Sequence, residues 1–83
     1  MAHIARSPKQ LGAAIQRVRK QKGMSQTELA RLAGLRQELV SKIETGQEGT
    51  RLSSIYALFA ALGLEMVIDQ RSGKSVPDIE DIF

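Results

Sequence analysis

The sequence predicts a mainly α fold: a bundle of four to five short helices, with one short strand after the last of them. Three observations carry that prediction. Apolar residues recur at helical spacing in four stretches, glycines punctuate those stretches, and the period changes to strict alternation only once, after Gly63. At 83 residues there is room for a single core. A globule of this size buries only about 60–65% of the surface of its extended chain, so self-association is an expected support.

Met1–Arg6 reads as a flexible arm. Ser7-Pro8-Lys9-Gln10 then has the form of a helix start: serine as cap, proline where no amide donor is needed, and glutamine reaching back to the cap. Leu11, Ala14, Ile15 and Val18 share one face of this helix, and Gly23 stops it. Ser25-Gln26-Thr27-Glu28 is a full capping box; Leu29, Leu32 and Ala33 are expected to face inward before Gly34 ends the second helix. Gln37–Thr45 reads as a third helix with Val40 and Ile43 inward and Gln37, Glu38, Ser41 and Lys42 outward, closed by Gly46.

A polar loop, Gln47–Thr50, precedes the fourth helix, whose cap is expected at Thr50 or Arg51. Leu52, Ile55, Leu58, Phe59 and Leu62 trace its wide apolar face. Leu64, Met66 and Ile68 then alternate with Glu65, Val67 and Asp69, the pattern of a strand with no partner in its own chain. The expected organisation is therefore an arm over 1–6, a helical domain over 7–63, a dimerising strand over 64–70 and a flexible acidic tail over 71–83.

Composition narrows the chemistry. Cysteine is absent, and the lone His3 lies in the arm without a cluster of ligands, so no metal site or cofactor is expected. Ser7, Ser25 and Ser41 have no histidine or lysine base at motif spacing, which gives nucleophilic catalysis no support. No signal peptide is visible. The most apolar stretch, Leu52–Ile68, is interrupted by Ser53, Ser54, Gly63 and Glu65 and falls short of the roughly 20 apolar residues of a membrane span. A cytoplasmic protein that is not an enzyme is the expectation. The net charge of +3 hides an asymmetry: residues 1–51 carry +6 and residues 52–83 carry −3. A basic front half suits a polyanion such as DNA, because each neutralised phosphate releases condensed counterions.

The two helices on either side of Gly34 form the constellation that carries this chemistry. Ala30 permits a close helix crossing, Gly34 permits a sharp turn, and Val40 and Ile43 lock the third helix down from behind. The outer face of that helix is then free to enter a major groove about 12 Å wide. Met24 reads as a core plug, and Phe59 and Tyr56 read as core and core edge.

These residues also carry a resemblance. Gln26-Thr27-Glu28-Leu29-Ala30, Gly34-Leu35 and Val40-Ser41-Lys42-Ile43-Glu44-Thr45-Gly46 resemble the phage-repressor (Cro/CI, XRE-type) helix-turn-helix family, over about Leu11 to Leu62. Ser7-Pro8, Gln10-Leu11, Arg36-Gln37 and Leu64-Glu65-Met66-Val67-Ile68 are similar in addition to HipB-type antitoxins. The resemblance implies a lambda-repressor-like bundle whose C-terminal strand pairs across a homodimer through Leu64, Met66, Val67 and Ile68. It implies that Gln26 contacts a phosphate and braces the third helix, and that Arg36, Gln37, Glu38 and Ser41 reach base edges. Lys42 lies one turn on, and Thr45 matches a backbone-contact position. Arg36 stands where the family usually has a Ser or Thr cap. Glu38 is tolerable there if it accepts from cytosine or pairs with Arg36. Arg19 and Glu44 match a structural ion pair.

The partners implied are double-stranded operator DNA, a second copy of the chain and a HipA-like toxin kinase, in a nucleoid-associated bacterial protein that represses its own operon. The acidic-apolar end, Val76–Phe83, reads either as a toxin-docking segment or as simple disorder. The competing reading, from a different class, is a protein-interaction adaptor that keeps the helix-turn-helix fold without binding DNA.

Overall fold

A computed structural model describes residues 3–71 of the chain. Among these residues there are four helices: α1 (Pro8–Gln21), α2 (Gln26–Ala33), α3 (Gln37–Glu44) and α4 (Leu52–Leu62). α2 packs on both α3 and α4, and α1 lies chiefly against α3. Ile15, Leu29, Val40, Leu58 and Leu62 are wholly enclosed where the four meet. Met24, Leu35 and Leu64 close the core from its edges.

The helix ends follow the sequence signals closely. Ser7 Oγ accepts from the Gln10 amide, and Pro8 occupies the first turn of α1. The Gln10 side chain does not return to the cap itself. It accepts instead from the amide of Arg6 at 2.6 Å, which fastens the arm to the helix one residue earlier. At α2 both halves of the capping box form: the Glu28 amide donates to Ser25 Oγ, and the Ser25 amide donates to Glu28 Oε1. Gly34 ends α2 in the left-handed region, at φ 72°. The Leu35 amide then donates to the Ala30 carbonyl at 2.9 Å, so the chain re-enters α3 almost at once. Arg51 caps α4 without a side-chain bond, while Thr50 Oγ1 donates to the Gln47 carbonyl and closes the preceding loop.

One expectation is corrected. Leu32, expected inward, is 52% exposed. It lies three residues beyond Leu29, about 60° off that side chain and past the edge of the buried stripe. Leu52 is 58% exposed because it is the first residue of α4, ahead of the first core contact at Ile55. Residues 64–70 carry no strand ladder among the described residues, where no second strand stands beside them. Leu64 is half-buried against the core, and its amide donates to the Phe59 carbonyl; Met66, Val67 and Ile68 stand in solvent. The expected tail falls almost wholly outside the described residues, as does its docking segment.

No helix of the described residues is long and apolar enough to cross a membrane.

A candidate nucleic-acid interface

α3 has one buried side and one open side. Val40, Ile43 and Glu44 face the bundle, whereas Arg36, Gln37, Glu38, Lys42 and Thr45 are exposed and Ser41 is half-buried. What fixes the open side in space is a chain of polar side chains that begins in the interior. Arg19 and Glu44 are both buried, with side chains 9% and 1% exposed. Arg19 Nε donates to Glu44 Oε2 at 2.7 Å and Arg19 Nη2 donates to Glu44 Oε1 at 3.1 Å, a bidentate pair joining α1 to the end of α3. The remaining arm of the guanidinium, Nη1, donates to the Met24 carbonyl at 2.7 Å and so holds the turn between α1 and α2.

Glu44 does more than neutralise Arg19. Its Oε1 also accepts from Gln26 Nε2 at 3.0 Å, and Gln26 Oε1 in turn accepts from Gln37 Nε2 at 2.7 Å. Gln26 is the first residue of α2 and Gln37 the first of α3, so the two short helices are tied at their leading ends. A buried carboxylate costs several kcal/mol to desolvate unless its lone pairs are engaged; here three donors engage it. No buried side-chain nitrogen or oxygen among the described residues lacks a partner.

The orientation has a chemical consequence. A glutamine amide has two N–H donors and one acceptor oxygen. With one N–H of Gln37 committed to Gln26, the second N–H and Oε1 remain together, the acceptor–donor combination that matches the N6 and N7 edge of adenine. Arg36 and Lys42 supply exposed positive charge beside it. Glu38 is exposed and forms no ion pair with Arg36; among the described residues the pair within salt-bridge distance is Arg19–Glu44. Thr45 Oγ1 donates to the Lys42 carbonyl at the C-terminal end of α3.

Gly12 is a structural determinant of this face that sequence reasoning missed. A methyl group in its place would run into the carbonyl oxygens of Ile43 and Glu44. α1 and the last turn of α3 therefore approach closely enough for only glycine to fit. The available signal was a glycine inside an otherwise regular helix, at a cost of about 1 kcal/mol relative to alanine.

Comparison with known proteins places this geometry. A helix-turn-helix family pattern matches residues 15–68. Antitoxin HipB of Escherichia coli strain K12 is 36% identical over 62 residues, which span 75% of this chain and 70% of that protein. A HipB–O4 20mer complex contains a chain that superposes with a TM-score of 0.79 at 31% identity, covering 86% of this chain and all (100%) of that one. A HipA–HipB–O2–O3 complex gives a TM-score of 0.78 at 31% identity, with 86% and 100% covered. The restriction-modification controller protein C.AhdI from Aeromonas hydrophila is also similar, with a TM-score of 0.66 at 36% identity over 70% of this chain and 88% of that one.

Proposed function

This chain belongs to the helix-turn-helix family and is a HipB-like antitoxin, and from that premise we propose that it is a homodimeric, sequence-specific repressor that silences its own operon and neutralises a HipA-like kinase toxin. The observation that carries the reading is the Gln26–Gln37 bond, which presents the reading end of Gln37 on the open side of α3. Gln37 reads adenine, Arg36 reads guanine, Glu38 accepts from a cytosine amino group, and Ser41 touches the next base edge. Lys42, Thr45 and the free N–H of Gln26 contact phosphates, fixing register without reading sequence. The protein acts in the cytoplasm on the bacterial nucleoid.

The dimer forms through residues 64–70. Met66, Val67 and Ile68 are 42%, 73% and 93% exposed, on a segment whose backbone has no strand partner among the described residues. Antiparallel pairing with the same segment of a second copy satisfies both the backbone and the apolar side chains, and gives the two-fold symmetry of a palindromic operator. The likeness to HipB in a complex with HipA supports the toxin as the second partner.

The test is an electrophoretic shift on the promoter of the chain's own operon. Gln37→Ala should weaken the specific complex by about 10- to 100-fold, the worth of one bidentate base contact, while far-UV circular dichroism stays unchanged. An unaltered specific shift would remove Gln37 from the reading head. A chain that captures the toxin yet shifts no promoter fragment at low salt is an interaction adaptor instead.

A further inference from the structure

The first acidic residue of the chain is Glu28; before it stand six cations, Arg6, Lys9, Arg17, Arg19, Lys20 and Lys22. Arg19 is spent on Glu44 inside the protein. On the outer side of α1, the arm and the helix enclose an open groove of about 580 Å³ lined by His3, Ile4, Gln10, Ala13, Ala14, Arg17 and Gln21. Arg17 points a guanidinium nitrogen at His3 Nδ1, 3.4 Å away, and has no carboxylate partner among the described residues. At 100° per residue, Ala13, Arg17 and Gln21 lie opposite Gly12, Ile15 and Arg19. The groove is therefore on the far side of α1 from α3, away from the face that would rest on DNA. Its lining is mixed, apolar through Ile4, Ala13 and Ala14 and polar through His3, Gln10, Arg17 and Gln21.

We propose that this groove is the docking site of the chain's own segment Val76–Phe83. That segment, Val-Pro-Asp-Ile-Glu-Asp-Ile-Phe, alternates carboxylates with large apolar side chains, and Asp78, Glu80 and Asp81 supply the charge that Arg17 and its basic neighbours lack. The path of the chain fits. Arg71, the last described residue, lines a cleft together with His3, Ile4, Ala5 and Arg6 of the arm. From there Val76 is five residues on, a reach of up to about 17 Å. In character the segment complements the groove: Ile79, Ile82 and Phe83 match apolar Ile4, Ala13 and Ala14, and the carboxylates match the charge of Arg17. The inference is independent of the DNA-reading role of α3 and uses none of its residues.

The experiment compares amide chemical shifts of the full chain with those of a variant carrying Asp78→Asn, Glu80→Gln and Asp81→Asn, and with Arg17→Gln, an exposed change that leaves the core intact. Docking predicts that the acidic-segment variant shifts the amides of Ala13, Ala14 and Arg17, and that Arg17→Gln shifts the amides of Ile79, Ile82 and Phe83, which are far from the change in sequence. It also predicts that about 0.5 M NaCl moves the full chain toward the variants, as screening demands. Unchanged α1 amides in the acidic-segment variant, or unchanged amides of residues 76–83 in Arg17→Gln, would overturn the proposal, as would shifts confined to another face. Shifts that grow with protein concentration would assign the segment to a second molecule. Displacement of the same signals by promoter DNA would assign the groove to the DNA footprint. Either result rejects docking within one chain.

Discussion

At the scale of single residues, Glu44 is the centre of the molecule. It closes α3, neutralises Arg19 and holds Gln26, which holds Gln37. Replacing Arg19 by Met leaves Glu44 buried with one donor where it had three, and should cost about 3–5 kcal/mol in urea unfolding. Gln26→Ala tests a different property. Glu44 keeps its bidentate partner, so stability should fall by only about 1 kcal/mol. Gln37, however, loses its anchor, and discrimination between the specific site and a site with its adenine changed should narrow in a competition shift assay. Combined with Gln37→Ala, the second loss should be less than additive; full additivity would show that the two glutamines act separately. The Arg19–Glu44 pair was visible in the sequence through family resemblance. The same resemblance implied that Gln26 braces the third helix; that it does so by bonding both Glu44 and Gln37 emerges only from the packing of the helices.

At the scale of elements, local chemistry and packing make separable demands on small residues. Gly34 needs its left-handed backbone but has nothing within 4 Å of the position a Cβ would take. Gly34→Ala should therefore cost only about 1–2 kcal/mol, the strain of a positive φ in an L-residue. Gly12 sits within a regular helix, where alanine is locally better by about 1 kcal/mol. Yet Gly12→Ala should destabilise more than Gly34→Ala, because the methyl meets backbone carbonyls of α3 that cannot rotate aside. Thermal unfolding of the two variants side by side decides between these mechanisms, and the reverse order would contradict the close approach of α1 to α3. Ser25→Ala, which removes one half of the capping box, should cost about 1 kcal/mol. Helix starts and stops were readable at almost every boundary, since caps and positive-φ glycines act within three or four residues. Leu32 was misplaced for the complementary reason. Hydrophobic period sets which stripe is apolar, while the length and crossing of neighbouring helices set how much of that stripe is covered.

At the scale of the whole molecule, Met66, Val67 and Ile68 are exposed among the described residues, and the dimer proposed for this segment makes a prediction about mass. Sedimentation should give a mass near twice 9.1 kDa, and Met66→Pro, which removes a ladder donor, should shift it toward the monomer. A persistent monomer at micromolar concentration would leave the segment to another protein. By itself, the sequence determined the four helices, the serine caps of α1 and α2, the tight turn at Gly34 and the identity of the residues on the open side of α3, because each depends on neighbours a turn or less away. Only the tertiary structure decided that α1 and α3 touch through Gly12, and that Glu44 passes its order through Gln26 to Gln37. Those contacts arise between helices distant in sequence, where distance and angle follow from the packing of the core and not from any local preference of the chain.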